Sequence, residues 1–387
     1  MLIQEELSQE VVELTKKMVQ IKSVNPPGGE GEMADFVENY LRELGIQTTS
    51  VPLEDGEGRR LSVVGRISGR HEGSVVLCGH LDTVGVTEDH WSVPAFDDLM
   101  EDGKIYGRGS ADMKGGVAVI LAVARKLVES ESPLDKDVVL ALTADEESDY
   151  GGAYSLTETD LLDDAELLVV TEPTNGEAYI GEKGELWVDV TFLGDAAHGS
   201  TPDEGINAVL MGAGFVPQIV EQVESFPGDG SLGQTTINVG QFEGGWQPNV
   251  VPDKATVKLD IRVVADEHKE RALGAIRDIS DRLVDQFGGG FETEVTTYQE
   301  PIVSETDDDL VAQFLRAAGQ KDGSREDLQA SIVPYCTDAA ALKPYLKTPV
   351  VICGPGEIEM AHQPDEYVTK DSLVSTMNTF LRFFDLK

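Results

Sequence analysis

The stretch 74–84 reads SVVLCGHLDTV, an apolar run followed by a histidine and an aspartate. The run does not alternate between apolar and polar residues, so it predicts a strand buried on both faces, as in the sheet of an α/β domain. In open α/β sheets, ligands bind at the carboxyl edge of the strands. His80 and Asp82 lie at that edge, which makes them candidate site residues.

The segments around this strand alternate between helix and strand. Apolar residues recur with helical spacing at about 6–22, 31–44 and 115–129. Short β-rich runs lie at 61–67, 138–142, 167–170 and 349–353. This alternation predicts an α/β layer architecture with a largely buried sheet.

Residues 183–297 follow a different order, β-α-β-β-α-β, which is that of a ferredoxin-like α+β domain. A chain of 387 residues also exceeds what one hydrophobic core usually holds. We therefore expect the first part of an α/β domain at 1–182, an inserted domain at 183–297, and the second part of the α/β domain at 298–387.

The chain is strongly acidic, with 30 Lys and Arg against 71 Asp and Glu and a formal net charge of -41. Such a surface repels nucleic acid and anionic membranes, which excludes both as partners. The acids are spread between apolar segments, which argues against disorder. A charge of this size must be screened, which favours a halophilic protein over an ordinary acidic one.

Three further features favour the cytoplasm. Cys78, Cys336 and Cys353 cannot all pair and lack metal-binding spacing, so we expect buried free thiols. Residues 1–21 have an amphipathic helical pattern without the basic start of a signal peptide. The apolar stretch 117–124 is too short to cross a bilayer.

Three of the six histidines lie in loops that are bounded by Gly or Pro and close to acids. These are His80, His198 and His362. The sequence His80-x-Asp82 could supply a metal ligand and the carboxylate that orients it, although a turn histidine satisfied by its own loop is an equal alternative. The other three, expected to be solvated, are His71, His90 and His268.

Four acids complete a candidate constellation. Glu146 and Glu147 follow the strand at 138–142, and adjacent carboxylates can divide roles, one binding metal and the other moving protons. Asp112 precedes a helix in a Gly-rich segment, and Glu172 ends an apolar run. Alone, each could be an ordinary acid of an acidic chain. Together with two histidines they suit two zinc ions that share a carboxylate.

Six motifs occur in the order that is typical of one known family. They are GHLDTV (79–84), GRGSADMKGG (107–116), ADEES (144–148), TEPT (171–174), AHGSTPDEGINA (197–208) and GPG with AHQPDE (354–366). Over almost its whole length the chain resembles the co-catalytic metallopeptidases, which include acetylornithine deacetylase, succinyl-diaminopimelate desuccinylase and carboxypeptidase G. The resemblance implies an α/β, zinc-peptidase-type three-layer catalytic domain with an inserted ferredoxin-like lid and dimerisation domain.

The resemblance also implies how metal ions are held. His80 and Glu172 would bind one zinc ion, Glu147 and His362 the other, and Asp112 would bridge the two. Cobalt or manganese could substitute for zinc. The peptide bond after Asp112 matches one that is cis in the family.

Catalytic roles follow from the same resemblance. Glu146 would be the general base, Asp82 would orient the His80 ring, and His198 would act across a homodimer formed through the inserted domain. The positions that match substrate contacts are Asn249, Arg262 and Gly354.

The resemblance predicts a cytoplasmic enzyme that hydrolyses the amide bond of a small N-acyl amino acid and is acetylornithine deacetylase-like or succinyl-diaminopimelate desuccinylase-like. Glu172, where aminopeptidase members have Asp, favours removal of an acyl group. A di- or carboxypeptidase of the same family is an alternative. A metal-free ligand-binding homologue is another, but the five ligands and Glu146 are all retained.

Overall fold

The computed structural model describes residues 2–53, 58–130, 133–228, 230, 232–319 and 331–386. The described residues form two compact units. The first draws on Met1–Gly181, Val303–Ser331 and Thr337–Lys387, and the second on Glu182–Ile302 and Ile332–Cys336.

Helices and strands alternate through most of these ranges. The helices are α1 (Leu2–Gln20), α2 (Gly31–Glu43), α3 (Gly115–Glu129), α4 (Gly151–Thr157), α5 (Ala208–Glu224), α6 (Asp266–Phe287), α7 (Asp309–Ala317), α8 (Asp338–Leu346) and α9 (Lys370–Phe383). The strands are β1 (Gln47–Pro52), β2 (Leu61–Ile67), β3 (Ser74–His80), β4 (Met100–Glu101), β5 (Lys104–Tyr106), β6 (Asp137–Thr143), β7 (Ala165–Pro173), β8 (Gly181–Glu182), β9 (Gly184–Leu193), β10 (Thr236–Gly244), β11 (Lys254–Val263), β12 (Gly290–Gln299), β13 (Ile302–Val303), β14 (Val350–Gly354) and β15 (Tyr367–Thr369).

The first unit is built on a six-stranded sheet in the order β1-β2-β6-β3-β7-β14. The last four strands are mutually parallel, and β1 and β2 form an antiparallel edge. Successive residues of a strand point to opposite faces. Leu77 of β3 joins the core that α3 and α9 line, whereas the next residue, Cys78, contacts Asp338 of α8. Helices therefore cover both faces, and the three-layer prediction is confirmed.

The parallel strands bring their carboxyl ends to one edge of this sheet. β3 ends at His80, which pairs in register with Thr143 at the end of β6. Pro173 at the end of β7 pairs with Gly354 at the end of β14. The residues that follow or end these strands therefore meet at one place, as expected for a ligand site of an α/β sheet.

The second unit is an antiparallel sheet in the order β10-β11-β9-β12. Helices α5 and α6 pack together on it, over a core that includes Phe192 and Phe215 with ring centroids 5.4 Å apart. Element order and strand order are those of a ferredoxin-like domain. The predicted fold class, an α/β domain with a ferredoxin-like unit within it, is confirmed.

The expected solvation of His268 is wrong. This residue of α6 is 1% exposed, and its Nδ1 lies 2.7 Å from Thr235 Oγ1. Its ring packs at 5.2 Å from the ring of Phe226, so it is a core histidine of the second unit. His71, by contrast, is exposed beside Asp135, and His90 is also exposed.

The three cysteines are buried thiols. Among the described residues, every helix is too short or too polar to span a membrane.

Candidate metal centre

Five side chains from five separate segments converge in the first unit. The ligand atoms of His80, Asp112 and Glu172 all lie within 4.8 Å of one another, and we call these residues the first triad. The same holds for Asp112, Glu147 and His362, the second triad. The two triads share one residue, Asp112.

The two carboxylate oxygens of Asp112 face different histidines. Oδ1 lies 3.1 Å from His80 Nε2, and Oδ2 lies 3.4 Å from His362 Nε2. Each imidazole nitrogen also has a second acid nearby: Glu172 Oε1 at 3.7 Å from His80 Nε2, and Glu147 Oε2 at 2.9 Å from His362 Nε2. A carboxylate placed in this way can bridge two ions.

The backbone around Asp112 allows this close approach. Gly109, with φ of 84°, has no room for a side chain, since a Cβ there would lie 2.6 Å from Thr83 Cγ2. The Asp112–Met113 peptide is cis, as expected. Helix α3 begins at Gly115, so the shared ligand lies just before a helix N-terminus.

The donor set fits two divalent metal ions. Imidazole nitrogen and carboxylate oxygen are ligands that zinc accepts, and each triad supplies three donors, so one position of a four-coordinate ion remains for another ligand. Glu147 Oε1 is buried and has no hydrogen-bond partner, which is costly unless a further group binds it. The first triad is enclosed, whereas 53% of the His362 side chain is exposed, so the second triad faces solvent.

Crowding of like charges alters the proton affinities of these groups. Burial, together with the charge of Asp112, raises the pKa of Glu172 well above its ordinary value, and the same two causes raise that of Glu147. Burial lowers the pKa of His80, but its hydrogen bond with Asp112 and the surrounding carboxylates outweigh burial, so this pKa is raised. The hydrogen bond with Glu147 raises the pKa of His362. Without metal, these four groups therefore keep their protons to a higher pH than ordinary histidines and glutamates do.

Asp82 lies beside the His80 ring and contacts it through both its main chain and its carboxylate. His80 Nδ1 lies 3.0 Å from the backbone oxygen of Asp82 and 3.6 Å from its carboxylate, so the main chain is the closer acceptor. The carboxylate accepts the backbone N–H groups of Glu146 (3.2 Å) and Glu147 (3.1 Å). Asp82 therefore holds both the ring of one ligand and the turn that carries two acids.

Asn25 supports this arrangement, although no spacing pattern in the sequence points to it. Its amide nitrogen donates to Asp82 Oδ2 (3.0 Å) and to Asp145 Oδ1 (2.8 Å). Asp145 is also paired with Arg60. Asn25 stands in the motif SVNPPGGEG, and only a comparison of distant segments could have linked it to the acids of 144–148.

Glu146 belongs to neither triad and lies beside them. Its Oε2 is 3.9 Å from His80 Nε2, and its side chain is 10% exposed. Burial first, and then the charges of Glu172 and Glu147, raise its pKa well above the ordinary value of a glutamate. A carboxyl group whose pKa is raised binds a proton more tightly than an ordinary glutamate does, which suits it to general acid–base catalysis.

The second unit carries three of the predicted residues. His198 lies in an exposed loop whose backbone pairs with the segment that contains Asn249, with Gly199 N–H donating to Asn249 O over 2.8 Å. The Nδ1 of His198 accepts the backbone N–H of Ser200 (3.1 Å). Arg262 on β11 is ion-paired with Glu185 at 2.6 Å.

Gly354, the third predicted substrate contact, lies in the first unit at the end of β14. A Cβ at Gly354 would lie 2.0 Å from Thr171 O and 2.4 Å from Glu172 O, so only glycine fits beside this metal-ligand candidate.

A family model described as peptidase family M20/M25/M40 matches residues 76–385. The chain belongs to this family. The family that the six motifs predicted is therefore confirmed, as is an enzyme class that hydrolyses amide bonds. The comparisons with individual proteins are more distant.

This M20 family member is 28% identical to "Probable succinyl-diaminopimelate desuccinylase" of Staphylococcus epidermidis, over 97% of each chain. It is 27% identical to the acetylornithine deacetylase of Photorhabdus laumondii, over 91% of this chain and 89% of that one. The crystal structure of a tripeptidase from Staphylococcus aureus superposes with a TM-score of 0.81 at 22% identity, covering 97% of both chains. The last comparison shows the fold alone.

Proposed function

We propose that this M20 family member hydrolyses the amide bond of a small N-acyl amino acid and uses two zinc ions to do so. The observation that carries the proposal is the shared carboxylate, because Asp112 turns one oxygen to His80 and the other to His362. The names of two relatives, a desuccinylase and a deacetylase, support removal of an acyl group. The glutamate at position 172 also favours it.

The two triads would hold the ions, one bound by His80 and Glu172 and the other by Glu147 and His362, with Asp112 shared. Cobalt or manganese could replace zinc at such donors. Bound there, the ions would polarise the scissile carbonyl and lower the pKa of the attacking water. The donors are all present and converged, which counts against a metal-free ligand-binding homologue.

Glu146 would move the proton. Its carboxylate accepts the proton of the attacking water and delivers it to the leaving amine, which would otherwise depart as an unstable anion. The raised pKa of Glu146 supports this double role, because it makes the carboxylate a stronger base than an ordinary glutamate. Asp82 acts as a positioning residue, because it fixes the backbone of Glu146 and the ring of His80.

We further propose that residues 183–297 are a lid and dimerisation domain and that His198 completes the site of the partner subunit. Nδ1 of His198 accepts the backbone N–H of Ser200, so Nε2 is the ring nitrogen left to donate to a developing oxyanion. The residue as a whole is exposed. Asn249 and Arg262 would contact substrate from the same domain, and Gly354 from the catalytic domain.

A di- or carboxypeptidase of the same family is the second candidate, and the fold shared with a tripeptidase supports a peptidase. We also propose the cytoplasm as the location of the protein, because thiols stay reduced there and the three cysteines are buried thiols. The acidic surface suits a halophilic protein.

A substrate panel tests the function. Purified protein with added zinc or cobalt is incubated with N-acetylornithine, N-succinyl-diaminopimelate, N-acetyl-lysine, dipeptides and tripeptides. The free amine is quantified, with Glu146→Gln as the control for contaminating activity. We expect turnover of at least one N-acyl amino acid. Turnover of peptides alone would support the peptidase instead.

A further inference from the structure

Glu366 is fully buried four residues after His362, and four hydrogen-bond donors surround its carboxylate. Oε1 accepts the backbone N–H groups of Ala111 (2.8 Å) and Asp112 (3.0 Å). Oε2 accepts the backbone N–H of Gly109 (3.0 Å) and the guanidinium of Arg108, whose Nη1 is 2.6 Å away. Both oxygens are thus used to hold the short segment that ends in the shared ligand.

Arg108 links Glu366 to the backbone of His362. Its Nη2 donates to the backbone oxygen of His362 over 3.3 Å, while Nη1 remains on Glu366. Its side chain is 4% exposed, and its guanidinium lies 5.3 Å from the ring centre of Trp91. One buried ion pair therefore touches the backbone of two metal-ligand candidates that are far apart in the sequence.

We propose that the Arg108–Glu366 ion pair is a positioning device that fixes Asp112 relative to His362 and so sets the metal affinity of the second triad. The inference rests on the proposed two-metal function. Neither residue is a ligand of either triad. They contact the backbone of the ligand residues instead. Groups that hold ligands in place in this way change the affinity of a site for its metal.

The exposure of the second triad explains why such a device is needed. The side chain of His362 is 53% exposed, so its own surroundings restrain it weakly. Its φ of 62° is a left-handed conformation that costs energy for a residue other than glycine and has to be held in place. His80, in contrast, is fully buried and held by the backbone oxygen of Asp82. The loop after β14 therefore needs a fixed contact with the Asp112 segment, and the ion pair supplies one.

Substitutions of Arg108 and of Glu366 should weaken metal binding in different ways. A lysine at position 108 keeps the charge for Glu366, but its single ammonium cannot also serve His362 as a planar guanidinium does. Arg108→Lys should therefore weaken only the second triad. Glu366→Gln places an amide NH₂ among N–H donors, which disturbs the Asp112 segment and should weaken both triads.

The test is a titration of the metal-free protein with Co(II), followed by its visible absorption and by calorimetry. His362→Ala first identifies which of the two dissociation constants belongs to the second triad. In Arg108→Lys we expect the dissociation constant of the second triad to rise about 10- to 100-fold, the usual effect of losing a group that holds a ligand in place. The dissociation constant of the first triad should not change. In Glu366→Gln both constants should rise, with a changed Co(II) spectrum.

The matched control is Asp137→Asn at the start of β6, where the carboxylate binds Arg66 Nη1 (2.6 Å) and Gly69 N–H (2.7 Å) away from the triads. It should lower the thermal midpoint of the metal-free protein without changing either constant. Unchanged constants in both test variants, or loss of the fold in both, would overturn the positioning role. A wild-type protein that binds fewer than two Co(II) ions would instead overturn the two-metal proposal, and this inference with it.

Discussion

The backbone N–H of Glu146 donates a hydrogen bond to Asp82 Oδ1 over 3.2 Å, and the neighbouring N–H of Glu147 binds the other oxygen of the same carboxylate. The main chain of both acids is therefore fixed by a residue from the end of another strand. Their side chains remain available for different tasks, because Glu147 faces His362 and Glu146 belongs to neither triad.

Replacement of Glu146 by glutamine separates these tasks. Glu146→Gln should retain close to the wild-type metal content, since the anchoring N–H is unchanged and no donor of either triad is lost. The value of kcat should fall about 10²- to 10⁴-fold, because the proton is no longer moved by a carboxylate. Metal analysis and steady-state kinetics measure both. Near-normal kcat would make Glu146 an ordinary acidic residue.

Asp112 is the only donor that belongs to both triads, so its loss should affect both ions. Asp112→Asn keeps the shape but reduces the charge that holds two cations. We expect binding of both ions to weaken, whereas His362→Ala should weaken one. Co(II) titration compares the two variants. If Asp112→Asn retains one ion at wild-type affinity, the carboxylate does not bridge.

Metal binding should release protons and strengthen as the pH rises. The raised pKa values of His80, His362, Glu147 and Glu172 mean that the metal-free protein holds protons on groups that must lose them to bind metal. Lowering the pH therefore favours the metal-free form. Calorimetric titrations in two buffers of different ionisation enthalpy, from about pH 6 to about pH 8, count the protons released. An affinity independent of pH would contradict these shifts.

Subunit mixing tests the role of His198. His198→Ala alone should lower kcat about 10²- to 10³-fold, the usual cost of one oxyanion donor. If the residue acts on the partner's site, a heterodimer of His198→Ala with Glu146→Gln contains one complete site. Equal mixing of the two variants should then restore roughly a quarter of wild-type activity, since half of the dimers are mixed and half of their sites are intact. Mixed dimers that form but stay inactive would rule out action across the interface.

Salt should stabilise the fold. Screening by about 1 M KCl shortens the range of repulsion among surface carboxylates to about 3 Å, so the thermal midpoint should be higher than in dilute buffer. The comparison is made with metal saturating in both solutions, so that ion binding at the triads does not contribute. Equal midpoints would remove the halophile proposal and leave the enzyme assignment unaffected.

The sequence predicted some of these features well and others poorly. Unbroken apolar runs located β3 and β7, because strands buried on both faces leave that pattern. The sequence could not show that Asn25 donates a hydrogen bond to Asp82, 57 residues away, because no local pattern encodes that contact. The position of His268 was misjudged for the same reason: Phe226 and Thr235, which cover it, come from segments before α6.

The donors of the two triads leave the ribosome at very different times. His80, Asp112, Glu147 and Glu172 precede the ferredoxin-like unit, and His362 follows it. At elongation rates of about 5–20 residues per second, the interval between the last two donors is on the order of ten seconds or more. During this interval the nascent chain can complete only the first triad. On the two-metal proposal, capture of the second ion would therefore be a late event of biosynthesis, after the intervening domain has had time to fold.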